Sequence, residues 1–416
     1  MRPVGPWSPP PSRHSGPATV GRSLVARCAK HWLLAVYVAS VILVGFQFGG
    51  REAANNLKIF RWSFYHLVAG QDLYRPYPEL YYDIFKYTPS WALFFAPFAL
   101  PPMAVGFFLW DLCAALLLYG AVQRLLPAPQ AQVALGISFF EFVASMQHAA
   151  SSNTIVAGLI VLAFVALEER RQRLGAFALA TGTLMKVYPA AGLAFAVFHD
   201  RKGRFALSFA TLLAALVALP LLVTPLPTLW AQWRSWAQVV GGDTLERGFS
   251  VMQLLRHWTG PTWPNWPVQL AGTVALLVPL ALRRERWSEP EFRRLFLCSV
   301  LVYCVIFNHQ SERPSFVVAF TGIAIWYAMS PHTALRNALM AFAFVGIPVL
   351  HSGVVPWRVR ELLLPRHVIA IPAVVLWLVM QAELLSRERW DAAPDAPSPS
   401  PSPAPPGPPE PPGERG

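Results

Sequence analysis

The sequence predicts an all-α, polytopic membrane protein with about ten transmembrane helices, together with short re-entrant or interfacial helices. Composition carries this prediction, because 55% of the 416 residues are hydrophobic and only 13% are charged. Several apolar runs are long enough to cross a bilayer, and Leu, Ala and Phe dominate them. Polar and apolar residues do not alternate in these runs, as they do in the strands of a membrane barrel.

The two ends of the chain differ in composition from its middle. Residues 1–29 mix Pro, Ser, Gly and Arg, and residues 387–416 form a Pro-rich, low-complexity tail. Neither segment has enough apolar surface to build a core, so both are predicted to be disordered. Residues 30–386 are predicted to form one transmembrane domain. Its first apolar stretch, 32–50, has no convincing small-residue cleavage site after it, which favours a retained helix over a signal peptide.

Charge and cysteine usage exclude two classes of function. The net charge is +12, but the basic residues lie mostly in short loops between apolar runs. This pattern is typical of membrane topology, and no nucleic-acid partner is predicted. The four cysteines form no Cys-x-x-Cys pair and have no histidine at zinc-ligand spacing, so no metal site is predicted.

The distribution of Arg and Lys predicts the orientation of the chain. Basic residues before the first span place the N-terminus in the cytoplasm, so that segment 51–89 becomes an outer loop. Residues 89–100 are too few to cross a bilayer at 1.5 Å per residue, and they are predicted to be re-entrant or interfacial. With that assignment the most basic loop, 168–173, faces inward and both termini are cytoplasmic.

A broken helix is predicted at residues 174–199. Basic clusters flank this stretch on both sides, and Pro189 interrupts it. Two half-helices entering from the cytoplasmic side fit the pattern, and binding sites of membrane proteins gather at such junctions. Lys186 lies at the junction and is a candidate binding residue, the alternative being a lysine that snorkels to the nearer surface.

Polar segments predicted to face the outer side form a second candidate region. They carry more Arg and Lys than the orientation rule favours, which indicates an anionic ligand such as a lipid phosphate. Snorkelling of single side chains at the interface is the alternative. The five segments are 51–89, 150–153, 226–266, 308–313 and 351–366.

Ionisable residues also occur inside predicted spans, where they are costly and functional by default. Asp111 is one. Glu141, Ser145, His148 and Ser152 follow helical spacing and make one polar stripe toward an outer turn. Packing between helices explains such residues equally well.

Five motifs in a fixed order resemble glycosyltransferase family 87, the DUF2029 group. They are NNLKIFRWSFYHLVAGQDLY (55–74), FKYTPSWALFFAPFALPP (85–102), SSNTIVAGLIVLAF (151–164), LMKVYPAAGLAF (184–195) and FNHQSERPSF (307–316). The resemblance covers about residues 30–385.

This resemblance implies a C-type glycosyltransferase fold with its active site at the outer face of a plasma (inner) membrane. The implied reaction moves a hexose, typically mannose, from a polyprenyl-phosphate sugar to an envelope lipid or glycan acceptor, with inversion. No cofactor is expected, because Arg and Lys stabilise the leaving phosphate. The alternatives are a glycolipid or anionic-solute transporter or flippase, which should show inverted repeats that are not evident here, and a catalytically inactive lipid-sugar-binding relative.

The chain departs from the family pattern at the catalytic base. The resemblance places an Asp about fourteen residues before the loop glycine, here Gly70, but Asn56 occupies that position. An amide cannot serve as a general base near neutral pH. The base has moved to another acid, or the donor or acceptor differs, or activity is lost. We favour a relocated base, Asp83 first and Asp72 second, with Glu52 also in the same segment.

The remaining candidates bind substrate. Asn153 is what remains of a Gln-x-Asn pattern that the resemblance places at the second outer turn, and His309, Glu312 and Arg313 cluster in another outer turn, for which a solvated loop is the alternative. The predicted substrate-binding residues are Asn56, Lys58, Arg61, Lys86, Tyr87, Asn153, Lys186, His309, Glu312 and Arg313.

Overall fold

The computed structural model describes residues 17–48, 54–147, 151–242, 247–260, 264–350, 352 and 354–386, with side chains from Trp32 onward, Phe48 and Leu364 excepted. Seventeen α-helices and no strand occur in these ranges, which confirms the all-α prediction. The helices are α1 (Pro17–Phe48), α2 (Asn55–Val68), α3 (Pro89–Phe94), α4 (Ala96–Ala99), α5 (Met103–Leu125), α6 (Ala128–Met146), α7 (Asn153–Glu168), α8 (Gln172–Met185), α9 (Lys202–Ala218), α10 (Leu226–Gly242), α11 (Val251–Thr259), α12 (Asn265–Leu282), α13 (Pro290–Ile306), α14 (Phe316–Ala328), α15 (Ala334–Phe344), α16 (Trp357–Leu363) and α17 (Ala370–Leu385).

Several of these helices have the apolar character of membrane spans. Within the described ranges, three stretches are both long and apolar enough to cross a bilayer: Met103–Leu125, Lys202–Leu222 and Asn265–Leu282. Shorter apolar helices occur at Trp32–Gln47, Asn153–Glu168, Tyr188–Phe198, Ala334–Val349 and Ala370–Leu385. The number of about ten spans therefore stays a prediction.

The first helix begins earlier than the sequence predicted. α1 starts at Pro17, inside the segment 1–29 that was expected to be disordered. Proline suits the first position of a helix, because its fixed φ is helical and its missing N–H has no intrahelical partner there. Residues 1–16 and the tail 387–416 lie outside the described residues.

The first segment predicted to face outward, 51–89, contains a helix where a loop was expected. α2 ends before Gly70, whose φ of +68° is left-handed. The backbone N–H of Gln71 donates to the carbonyl of His66 over 2.8 Å and so satisfies an open carbonyl at the helix end. The glycine thus turns the chain from α2 into the loop that carries residues 71–88.

The helices in 89–100 are short and the helix at 174–199 is broken, as the sequence predicted, whereas the placement of both in a membrane stays a prediction. Residues 89–100 form two short helices, α3 of 6 residues and α4 of 4 residues, each with proline in its first turn. α8 ends at Met185, Lys186 is extended, and a 3₁₀ helix follows at Tyr188–Phe198. Pro189 has no N–H to continue the α8 ladder, which explains the break.

α7 separates two groups of polar segments. Its 16 residues span about 24 Å from Asn153 to Glu168. At one end Glu168 pairs with Arg293, their two contacts measuring 2.7 and 2.8 Å. At the other end Ser152 shares a hydrogen bond of 2.9 Å with Tyr87. Segments predicted to be inner therefore meet at one end of α7, and segments predicted to be outer meet at the other.

Candidate active site

A cavity of about 270 Å³ opens where the predicted outer segments meet the junction of the broken helix. Its walls come from segment 51–89, the residues around Lys186, α10, and the turn between α13 and α14. The lining residues are Asn56, Ile59, Phe60, Asp83, Ile84, Lys86, Tyr87, Thr88, Thr183, Leu184, Met185, Lys186, Val187, Tyr188, Trp236, Val240, Asn308, His309, Gln310 and Glu312.

The cavity brings together most of the residues that the sequence singled out. Seven of the twelve predicted site residues line it: Asn56, Asp83, Lys86, Tyr87, Lys186, His309 and Glu312. The other five, all within the described ranges, are not part of its lining: Lys58, Arg61, Asp72, Asn153 and Arg313. Glu52 lies outside the described residues, as does His148 of the polar stripe.

Asp83 presents an exposed carboxylate to the cavity. One of its oxygens, Oδ1, accepts a hydrogen bond of 2.8 Å from the backbone N–H of Ile84. The loop is fixed one residue earlier, where the N–H of Tyr82 donates to Oδ1 of Asn55 over 3.1 Å. An ionised carboxylate offers several acceptor positions, so Asp83 retains the capacity to accept a proton from a bound hydroxyl.

Two lysines give the cavity a positive side. Lys86 and Lys186 lie on separate segments, which the hydroxyl of Thr88 joins by donating to the carbonyl of Leu184 over 2.6 Å. The Lys186 ammonium also lies 5.7 Å from the centre of the Tyr87 ring. Two ammonium groups on adjoining segments form an arrangement that suits a phosphate.

Asn153 and Ser152 form hydrogen bonds with two tyrosines that line the cavity. Asn153 is buried, and its Oδ1 accepts a hydrogen bond of 3.2 Å from the hydroxyl of Tyr188, which lines the cavity. Ser152 shares its hydrogen bond with the hydroxyl of Tyr87. The Asn153 amide therefore orients a lining residue and does not itself line the cavity.

The turn that carries His309 and Glu312 is held from two sides. The amide of Gln269 on α12 contacts Nδ1 of His309 at 3.2 Å and donates to the carbonyl of Phe307 at 3.2 Å. On the other side, the N–H of Phe249 donates to the carbonyl of Ser311 over 2.8 Å. Gly248, at φ +41°, permits this approach, because a Cβ there would collide with the same carbonyl.

Arg313 lies behind the cavity, where it pairs with the acid of the polar stripe. Its two terminal guanidinium nitrogens each donate to an oxygen of Glu141 over 2.6 Å. The sequence treated Arg313 as a substrate ligand and Glu141 as a separate intramembrane acid. The structure joins them in one bidentate ion pair, so both terminal nitrogens of Arg313 are bonded to Glu141.

Lys58 and Arg61 do not line the cavity, because they lie on a different face of helix α2 from the residues that do. Residues three or four apart share a face of a helix, so Asn56, Ile59 and Phe60 point one way and Lys58 and Arg61 another. Arg61 donates to the carbonyl of Pro101 over 2.6 Å and to the hydroxyl of Tyr65 over 3.5 Å.

Asp72 accepts a hydrogen bond from a neighbouring residue in its own turn. Its Oδ1 accepts a hydrogen bond of 3.0 Å from the N–H of Tyr74, and its side chain is exposed outside the cavity. This geometry is that of a residue that stabilises the turn after α2. The second choice of base is therefore not brought to the site.

Comparison with known proteins decides the family of this chain. The model of glycosyltransferase family 87 matches residues 85–308, more than half of the 416 residues. The chain belongs to glycosyltransferase family 87. It is therefore a membrane glycosyltransferase, and the transporter interpretation is set aside.

Solved structures give a more distant likeness for this family 87 enzyme. It is similar to ArnT from Cupriavidus metallidurans bound to undecaprenyl phosphate, with 15% sequence identity and a TM-score of 0.43. The likeness covers 86% of this chain and 78% of that chain. None of the curated proteins matches the sequence.

The segment matched by the family model includes some of the cavity residues and excludes others. Lys86, Tyr87 and Lys186 lie inside the matched segment 85–308, whereas Asn56 and Asp83 precede it. Sequence reasoning missed Tyr188 and Trp236, although both had a signal. Tyr188 immediately precedes the helix-breaking Pro189, and Trp236 belongs to a Trp-rich stretch of segment 226–266, for which interfacial anchoring and sugar stacking are both possible from sequence.

Proposed function

We propose that this family 87 glycosyltransferase moves a hexose, mannose by the family resemblance, from a polyprenyl-phosphate donor to a lipid or glycan acceptor of the cell envelope. The reaction takes place at the outer face of the plasma membrane and inverts the anomeric centre. One observation carries the proposal: Asp83, Lys86 and Lys186 line a single cavity. A base and two cations are the parts that such a transfer requires.

The chemistry divides among these three residues. Asp83 takes the proton of the acceptor hydroxyl as the hydroxyl oxygen forms a bond to the anomeric carbon. The bond between that carbon and the phosphate oxygen breaks on the opposite face, and polyprenyl phosphate leaves. Lys86 and Lys186 stabilise the negative charge that develops on the leaving phosphate.

The other lining residues orient the sugars. Asn56, His309 and Glu312 offer hydrogen-bonding groups to sugar hydroxyls, and the rings of Tyr87, Tyr188 and Trp236 provide apolar faces. No metal or cofactor is assigned a role, because the lysines supply the positive charge.

The test uses membranes containing the wild-type chain, Asp83→Asn or Asp72→Asn, supplied with radiolabelled polyprenyl-phosphate-mannose and a lipid extract. Loss of a general base costs about 10²- to 10⁴-fold, and we expect a loss of this size for Asp83→Asn. Asp72→Asn should keep most of the activity, since its carboxylate lies outside the cavity.

Three outcomes would change the proposal. Full activity of Asp83→Asn would remove the assignment of the base, and loss of activity in Asp72→Asn alone would move that assignment to Asp72. A wild-type chain that transfers sugar from no polyprenyl-phosphate donor, yet binds polyprenyl phosphate, would identify an inactive relative.

A further inference from the structure

A buried ion pair connects the membrane-embedded part of the protein to the turn at the cavity. The side chain of Glu141 on α6 is 0% exposed and that of Arg313 is 11% exposed, and both contacts between them measure 2.6 Å. Arg313 directly follows Glu312, so an anchored Arg313 restrains a lining residue whose Cα lies about 3.8 Å away.

Stability alone does not account for this pair. Taking two charges out of water carries a large desolvation cost, and apolar replacements of buried pairs are often neutral or stabilising. What the pair provides is geometry, because a bidentate fork fixes the direction of the guanidinium as well as its position. A turn that must present two side chains to a substrate benefits from such a fixed end.

The other anchors of the turn act on its earlier residues. Gln269 contacts His309 and the carbonyl of Phe307, and Phe249 contacts the carbonyl of Ser311. At the Glu312 end, Arg313 reaches across to α6, and the backbone N–H of Glu312 donates to Ser315 over 3.2 Å. The ion pair therefore anchors the turn directly after Glu312, and the Phe249 contact holds it directly before Glu312.

We propose that Glu141 and Arg313 are positioning residues, which hold the turn 308–313 so that His309 and Glu312 face the donor cavity. This inference rests on the proposed function, because it assigns these side chains a part in transfer. It predicts that removal of the pair impairs transfer far more than it impairs folding or binding of polyprenyl phosphate.

The chain offers a matched control at the other end of α7. Glu168 and Arg293 also form a bidentate pair, with contacts of 2.7 and 2.8 Å. Arg293 additionally donates to the carbonyls of Trp287 and Ser288, so its removal costs at least as many contacts. Neither residue of this control pair lines the cavity.

The experiment compares two double variants in reconstituted membranes: Glu141→Leu with Arg313→Met, and Glu168→Leu with Arg293→Met. We expect at least a tenfold lower transfer per folded molecule for the first and less than a twofold change for the second. Binding of polyprenyl phosphate, measured without sugar, should change less than threefold in both, because Lys86 and Lys186 remain. Equal losses of transfer in the two variants would overturn the inference.

A second measurement does not depend on activity. Gln310→Cys places a thiol in the turn, in a chain whose Cys28 and Cys113 are changed to Ala; Cys298 and Cys304 are buried. We expect its rate of reaction with a water-soluble maleimide to change at least threefold when the Glu141 pair is removed, and not when the Glu168 pair is removed. Unchanged rates in both would refute the positioning role. If the wild type transfers no sugar, the proposed function fails while these rates still decide whether the pair holds the turn.

Discussion

The amide oxygen of Asn55 accepts a hydrogen bond of 3.1 Å from the backbone N–H of Tyr82. Asn55 begins α2, so this bond holds the loop around Asp83 against the first turn of that helix. The neighbouring Asn56 and Asp83 consequently line the same cavity. The position where the family resemblance places an acid and the position where this chain has one are brought to one site.

This proximity predicts that the base can be moved between the two positions. In a chain carrying Asp83→Asn, the further change Asn56→Asp should restore transfer from polyprenyl-phosphate-mannose at least tenfold, because a carboxylate returns to the cavity wall. Initial rates in membranes measure the recovery. The matched control combines Asp83→Asn with Asp72→Asn and keeps Asn56. It also carries two substitutions, but it gains no acid in the cavity. Failure of Asn56→Asp to raise the rate would show that the two positions are not equivalent for catalysis.

The two lysines should contribute through the donor phosphate. Hydrogen bonds to charged groups contribute about 1.5 to 3 kcal/mol, so Lys86→Met and Lys186→Met should each lower kcat/KM about 10- to 100-fold. Binding of polyprenyl phosphate should weaken in parallel. Lys58→Met is the control, because Lys58 lies on another face of α2 and does not line the cavity. An equal effect of all three substitutions would point to general electrostatic attraction in place of a defined phosphate site.

Gly248 should be far less tolerant of alanine than Gly70, although both have left-handed backbones. A Cβ at Gly248 would collide with the Ser311 carbonyl, whereas nothing lies within 4 Å of one at Gly70. Gly70→Ala should cost only the backbone strain, about 1 to 2 kcal/mol of the free energy of unfolding. Gly248→Ala should in addition displace the turn 308–313 and lower transfer at least fivefold. Thermal unfolding and transfer rates measure both, and similar losses of transfer would contradict the expected contact.

The sequence predicted the class of fold and the grouping of segments well, because both depend on patterns along the chain. Apolar runs indicate helices, and Arg and Lys indicate which loops share a side. Pro189 located the break at Lys186, and that break opens on the cavity. These features follow from local chemistry and need no knowledge of tertiary contacts.

The sequence does not reveal placements that depend on a distant partner. Lys58 and Arg61 were predicted to bind substrate, but on α2 they lie on another face from Asn56 and do not line the cavity. Arg313 was assigned to substrate, since nothing in the spacing relates it to Glu141 in a helix 172 residues earlier. Long-range pairing of this kind is visible only once the helices are packed.

The orientation of the molecule is the remaining sequence prediction that a direct experiment decides. Glu79 and Asp200 are both exposed, and they belong to segments predicted to be outer and inner, respectively. In a chain with Cys28 and Cys113 changed to Ala, Glu79→Cys should react with a membrane-impermeant maleimide in intact cells. Asp200→Cys should react only after the membrane is permeabilised.

The result bears on the donor as well as the topology. An outer cavity has no access to the water-soluble nucleotide sugars of the cytoplasm, so its sugar must arrive attached to a membrane lipid, which fits the two lysines beside a carboxylate. If labelling shows Asp200 outside and Glu79 inside, the cavity opens to the cytoplasm and a lipid-linked donor loses its main physical justification. Assays with nucleotide sugars would then replace those with polyprenyl-phosphate-mannose.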